Sequence, residues 1–168
     1  AILVVPEPAR EEDLCRVHDP GYVARLREAL GKGGHGHLDA DTYFSPGTRD
    51  AAWLAAGGAI ALARTLVDGV RARRGMALLR PPGHHAARSM YGGYCFFNNA
   101  AIAVESIVAQ TGERVAILDV DFHHGNGSQQ IFWRRGDVRY VSIHAHPDRQ
   151  YPYFLGRELW RETRIALF

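Results

Sequence analysis

Apolar residues along this chain recur with two different periods. Ala51, Ala55, Gly58, Ala59 and Leu62 fall at helical spacing, the turn Ser45-Pro46-Gly47-Thr48 ahead of them supplies a helix N-cap, and Gly69 closes the segment. The stripe is made of small residues, which predicts a helix that packs closely against a neighbour. Asn98 or Asn99 can cap a second helix, which carries Ala100 to Ala109 and stops at Gly112. Glu11 to Leu30 is helix-prone with a break at Pro20-Gly21, and Lys32 to His37 reads as a Gly-rich surface loop.

Val115 to Val120 and Val138 to Ile143 are short continuous apolar runs, which predicts two buried strands. Met76 to Leu79 is a third strand-like run. It ends in Arg80-Pro81-Pro82-Gly83-His84-His85, where two prolines forbid a helix and leave the histidine pair on a loop. Strands alternating with helical stretches predict βαβ units on a parallel sheet, with functional loops after the carboxyl ends of the strands. No internal repeat or low-complexity linker interrupts the pattern, so 1–168 reads as a single domain.

Composition narrows the reading by exclusion. With 46% hydrophobic and 23% charged residues, the chain can form a core and is not disordered as a whole. Lys+Arg of 20 against Asp+Glu of 18 leaves +2, and the arginines are scattered from Arg10 to Arg164, so no basic face for nucleic acid is expected. Cys15 and Cys95 lie far apart with no Cys-x-x-Cys spacing, which argues against a disulfide framework or a thiolate zinc site and for a reducing compartment. No apolar run approaches the roughly 18 residues of a bilayer span, and Ala1 to Val5 carries no basic leader. A cytoplasmic protein with neither a membrane nor a nucleic acid as partner is the expectation.

The chemistry concentrates after the strands. In extended backbone, residues i, i+2 and i+4 share a face, so Asp119, Asp121 and His123 project to one side at the end of the Val115 strand. A carboxylate with an imidazole suits zinc, and a catalytic zinc takes about three protein ligands and a water. Asp121 and His123 supply two of them. The plainer alternative is a strand-end Asp that caps the next turn beside a His packed by chance. His84-His85, held on a loop stiffened by proline, suits an acid-base pair because imidazole titrates near neutrality. The glycines of Tyr91-Gly92-Gly93-Tyr94-Cys95-Phe96-Phe97 would let backbone approach a ligand while the aromatics wall a pocket. A core aromatic cluster beside a turn accounts for that segment equally well.

Arg80-Pro81-Pro82-Gly83-His84-His85-Ala86, the run from Gly92 to Ala103, Val115 through Gln129 and Val141-Ser142-Ile143-His144 together resemble the zinc-dependent histone deacetylase superfamily in order and spacing. Asp41 to Thr48, Tyr94, the Asn98-Asn99-Ala100-Ala101 helix start and Tyr151 to Gly156 are most similar to its bacterial acetylpolyamine amidohydrolases and class II-like deacetylases. The resemblance implies an arginase/deacetylase-like three-layer α/β/α fold with a mostly parallel sheet, of which this chain would hold the front half. It implies hydrolysis of an acetamide, on an acetylpolyamine or an acetyl-lysine, to acetate and a primary amine. Zinc, or ferrous iron in its place, would be held by Asp121 and His123. Asp119 would bond His84, and His85 would be the general base, with Asn126 as its partner. A carboxylate beside His84 favours imidazolium, whereas a neutral amide beside His85 does not. Gly93 would offer its carbonyl to the substrate amide, and Tyr94 would wall the tunnel. Asp119, Asp121, His123, Ser142 and Ile143 would form one structural potassium site, and Phe132, Arg135 and Val138 a second. His144 and His146 are further metal-type side chains on the same segment.

The chain also departs from the family pattern. It has no His-Pro-Glu-Arg type opening, no counterpart of the third zinc ligand, an Asp, and none of the Gly-Gly-Tyr tyrosine that donates to the oxyanion. Residues 157–168 read as a divergent tail. These departures predict that the 168 residues alone are poorly stable, essentially inactive and prone to homo-oligomerise. One alternative is a non-catalytic remnant that binds or dimerises. Another is a binuclear manganese ureohydrolase of the same general fold, which Phe122 and Asn126 fit badly.

Overall fold

The computed structural model describes residues 3–70, 72–153 and 166–167. The helix-prone stretch near the amino terminus forms two helices, α1 (Glu11–Leu14) and α2 (Pro20–Gly31). Pro20 sits in the first turn of α2, where a missing N–H leaves nothing unsatisfied, and the Asp19 carboxylate caps the helix by accepting from the Tyr22 N–H at 3.2 Å. The stretch expected as loop contributes a strand, because β1 (Gly36–His37) pairs antiparallel with β2 (Tyr43–Phe44).

α3 (Thr48–Val67) begins on Gly47, whose φ of 88° no other residue type adopts cheaply. No side chain caps it, and the Thr48 hydroxyl instead accepts from the Ser45 N–H at 2.9 Å. By length and composition α3 could cross a membrane, which the sequence reading did not anticipate. Its face of Ala52, Ala55, Ala56, Ala59 and Ala63 is buried, as in a core helix that packs on α4 (Asn99–Thr111). Asn98 caps α4 by accepting from the Ala101 N–H at 3.1 Å, and Gly112 ends it in the left-handed conformation. Trp53 meets Phe97 edge-on at 4.7 Å, and around them Leu14, Val17, Tyr22, Val23, Ile60 and Ile102 make the core.

β3 (Val115–Asp119), α5 (Asn126–Phe132) and β4 (Val138–His144) form one βαβ unit, with β3 and β4 parallel from Val115↔Val138 to Asp119↔Ser142. β5 (Ala166–Leu167) adds in parallel on the far side of β4, so two residues of the expected divergent tail continue the sheet. The rest of that tail, and Phe154 to Gly156, lie outside the described residues.

Two strand expectations are corrected. Met76 to Leu79 is no strand: Leu79 reaches toward Gly58 on α3, while Met76 and Leu78 are 82% and 87% exposed. A strand exists only through a ladder partner, and this run has none among the described residues. Nor is β3 buried on both faces. Val115 and Ile117 pack against the core, whereas Leu118 on the other face is 64% exposed. Parallel strands read as continuous apolar runs because both their faces are meant for cover. Here that second face carries none among the described residues.

Candidate active site

Asp119 is the last residue of β3, and its carboxylate is fully engaged by the protein. Oδ2 accepts from His84 Nδ1 at 3.0 Å and from the Tyr140 hydroxyl at 2.7 Å, and Oδ1 accepts from the Asp121 N–H at 3.1 Å. Burial works against the charge of this carboxyl, but the bonds from His84, Tyr140 and the Asp121 N–H outweigh it and hold the group below the usual carboxylate range. Tyr140 pays in turn: burial and the Asp119 charge push its phenol above its ordinary range.

Asp121 and His123 lie beyond the end of β3, so a turn rather than the strand pleat places them. The His123 N–H donates to Asp121 Oδ1 at 2.8 Å, which repeats the bond from the Asp121 N–H to Asp119 two residues earlier. Asp121 Oδ1 and His123 Nδ1 stand 3.3 Å apart, and His84 Nε2 is 3.7 Å from the same oxygen. Two ligands at about 2.0–2.1 Å from a tetrahedral zinc lie roughly 3.3 Å from each other. This pair therefore fits one edge of a zinc site. Among the described residues no cluster of three or more His, Cys, Asp or Glu side chains completes it.

His85 packs on His84 with ring centroids 4.0 Å apart, yet the two rings face different partners. His85 is 5% exposed and its Nδ1 lies 2.8 Å from Asn126 Oδ1, so the amide oxygen accepts a hydrogen bond from Nδ1–H and Nε2 keeps its lone pair. Burial first, then the neighbouring His84, lowers its pKa to about 4. Gly93 presses against this ring: at φ 53° it needs glycine, and a Cβ there would lie 2.3 Å from His85 Cδ2. The Gly93 carbonyl accepts from the Cys95 thiol at 3.3 Å.

Tyr94 is 56% exposed and lines an open groove of about 670 Å³ with Tyr43, Arg80, Pro81 and Phe96. Neither the histidine pair nor Asp121 and His123 line that groove. Of the potassium-type residues, Ser142 is the ladder partner of Asp119 and shares a hydrogen bond with His144 Nδ1 at 2.8 Å, while Ile143 pairs with Ala166. Phe132, Arg135 and Val138 lie away from them, at the amino end of β4. The Phe132 carbonyl accepts from the Arg135 N–H at 3.0 Å, and the Arg135 guanidinium clamps Asp137 and Glu105. His144 is buried with its ring 4.6 Å from that of His124, and His146 Nδ1 accepts from the Asp148 N–H at 3.2 Å.

Four residues to which the sequence reading gave no role also contribute. The Tyr151 ring stands edge-on to His85 at 4.7 Å. Asp41 Oδ1 accepts from the Gly93 N–H at 3.3 Å, and Asp39 Oδ1 holds the same loop by accepting from the N–H groups of Asp41 and Thr42. Burial, with Asp41 and Asp39 nearby, raises the Tyr151 phenol above its ordinary range. Tyr140 is the fourth, as the second donor to Asp119. Asp39 and Tyr151 are separated from the histidine loop in sequence, and only the folded chain brings them to it.

Known proteins carry the same arrangement of sequence and fold. Residues 1–163 match the model of the histone deacetylase domain. Acetylpolyamine amidohydrolase 1 of Pseudomonas aeruginosa is 49% identical over 92% of this chain and 54% of its own length. The acetylpolyamine amidohydrolase of Mycoplana ramosa is 50% identical over 70% of this chain and 34% of its own. Among solved structures, the HDA15 HD domain superposes with a TM-score of 0.84 at 36% identity, covering 89% of this chain and 42% of that one. The acetylpolyamine aminohydrolase of Burkholderia pseudomallei gives 0.80 at 35% identity, covering 90% and 52%. The chain thus spans between a third and about half of the curated relatives it matches, and over that span, in sequence and in its arginase/deacetylase-like α/β fold, it belongs to the histone deacetylase domain family.

Proposed function

We propose that this chain carries the zinc-binding and acid-base side of an amidohydrolase that cleaves an acetamide to acetate and a primary amine. One observation carries the reading. Two adjacent histidines with their rings tilted against each other, one on the Asp119 carboxylate and one on the Asn126 amide, stand beside an Asp121–His123 pair spaced as the edge of a zinc site. Bound zinc would polarise the carbonyl and lower the pKa of its water to about 7. With its Nδ1 committed to Asn126, His85 offers Nε2 as the atom that would hold the transferred proton and deliver it to the departing amine. His84 Nδ1 faces the Asp119 carboxylate and His85 Nδ1 the neutral Asn126 amide, so the two adjacent rings have partners of different charge.

A small cationic amine is the preferred leaving group, since Asp41 and Asp39 flank the Gly93 backbone and favour an ammonium there over a neutral chain. The relatives named for acetylpolyamines support that choice. Potassium at Asp119, Ser142 and Ile143 would offset the repulsion of the acids beside it. With two protein ligands among the described residues, the chain by itself binds zinc weakly and turns over slowly.

Competition with a chromophoric chelator tests the metal reading. One weak zinc site is expected, lost in Asp121→Asn and in His123→Ala; equal affinity in all three proteins overturns it. Amine release from an N-acetylated diamine is expected only with zinc present and to vanish in His85→Ala. A second reading, as a unit that associates with itself, is favoured by the exposed Leu118, Val120 and Phe122, which are 64%, 71% and 59% accessible. Light scattering separates the two, because a monomer at all concentrations removes the second.

A further inference from the structure

The loop that bears both histidines has no secondary structure of its own, so its backbone groups must find partners elsewhere. Nearly every carbonyl from Gly83 to Arg88 has one. Gly83 O accepts from the Ala86 N–H at 3.0 Å, His84 O from the Ser128 N–H at 3.0 Å, and Arg88 O from the Asp19 N–H at 2.9 Å. The two carbonyls directly after His85 are held by side chains. Ala86 O accepts from Asn98 Nδ2 at 3.0 Å, and Ala87 O accepts from His18 Nδ1 at 2.9 Å.

These two side chains are also tied to each other. His18 Nε2 accepts from the Asn98 N–H at 3.0 Å, and Asn98 Nδ2 donates onward to the Ser128 hydroxyl at 3.0 Å. A ring that donates from Nδ1 and accepts at Nε2 is neutral and locked in one tautomer. Its surroundings keep it so: His18 is 1% exposed, with the rings of Tyr22 and Phe97 each 5.4 Å away. Asn98 is fully buried, with both Nδ2 hydrogens given to Ala86 O and the Ser128 hydroxyl while Oδ1 accepts from the Ala101 N–H. Groups held this fully leave one backbone path for the loop, and a buried network of this kind specifies geometry more than it adds stability.

We propose that His18 and Asn98 form a single positioning unit that fixes the carbonyls of Ala86 and Ala87 and thereby orients His85 onto Asn126. Neither residue touches the reacting atoms. The inference rests on the reading of His85 as the base, but it concerns the orientation of that ring and is measured without turnover.

The test is long-range 1H–15N spectroscopy of the histidine rings in the metal-free 168-residue chain at pH 7. In the wild type, His18 and His85 are each expected as the single Nδ1–H tautomer; an Nε2–H signature for His18 overturns the proposal outright. Two substitutions then divide the unit. His18→Asn places an amide donor where Nδ1 was and keeps the bond to Ala87, whereas His18→Gln places an acceptor where Nε2 was and keeps only the bond to Asn98. The expected result is a wild-type His85 signature in His18→Asn and loss of the single tautomer in His18→Gln, at similar melting temperatures. Identical His85 signatures in the two variants refute a positioning role. Failure of the amidohydrolase reading would appear separately, as equal zinc affinity in the wild type, Asp121→Asn and His123→Ala of a protein whose His85 spectrum behaves as expected.

Discussion

Replacing Asn126 by Asp puts a charge where the structure keeps a neutral amide, and the size of its effect can be worked from one distance. Asn126 Oδ1 lies 2.8 Å from His85 Nδ1, so a carboxylate there would hold its charge about 4 Å from the centre of an imidazolium. At an effective dielectric constant of about 20 that interaction is worth about 4 kcal/mol, or roughly 3 pKa units at 1.36 kcal/mol per unit. Desolvation of the new carboxylate takes back part of this, leaving an upward shift of about 1–3 units. His85 starts at about 4, lowered chiefly by burial and next by His84. Asn126→Asp is therefore expected to bring it to roughly 5–7, where the protonated share at pH 7 runs from about 1% to about half. The assay is an NMR titration of the His85 ring in metal-free protein, wild type against variant. A folded variant whose His85 still titrates near 4 would refute the electrostatic account. In an active form of the protein, the acid limb of the rate profile should move to higher pH, because a base works only when unprotonated.

Three further outcomes are expected. His18 is neutral when folded, with its pKa lowered to about 4 from 6.5 by burial, so its contribution is complete above 6.5 and is lost as pH falls from 6.5 through 4. The loss is on the order of 3 kcal/mol, and urea titrations at stepped pH should show a shallower decline in His18→Asn; parallel slopes would contradict it. Gly93→Ala meets His85 Cδ2 at 2.3 Å with φ at 53°, and a destabilisation of about 1–3 kcal/mol with a displaced His85 resonance is expected. Asp41→Asn should raise KM for a cationic acetylated amine several-fold while leaving KM for a neutral acetamide unchanged, and an equal change for both would remove Asp41 from amine recognition.

The parts of this protein that were legible in the sequence are those encoded by neighbours in the chain. Asn98 and Gly112 mark the ends of α4 because capping is a matter of three or four consecutive residues. The Val115–Asp119 and Val138–His144 strands were found for the same reason, since a run of apolar residues is a local signal. What the run could not say is how many faces are covered: Leu118 is as apolar as Ile117, and only the placement of α4 and α5 decides that one is packed and the other bare. Met76 to Leu79 fails as a strand on the same ground, because a ladder is a property of two segments and propensity belongs to one. The site divides likewise. Asp121, His123, His84 and His85 stand out as adjacent chemistry-bearing residues. Tyr140, Asp41, Tyr151 and His18 reach them from separate segments, through contacts to Asp119, Gly93, the His85 ring and, beside the histidine loop, Ala87. A supporting residue of this kind has no spacing rule of its own. It becomes visible only when the carbonyl, carboxylate or ring that it holds is followed to its partner, which is why the histidine pair and its partners Asp119 and Asn126 could be named from the chain while Tyr140, Tyr151 and His18 could not.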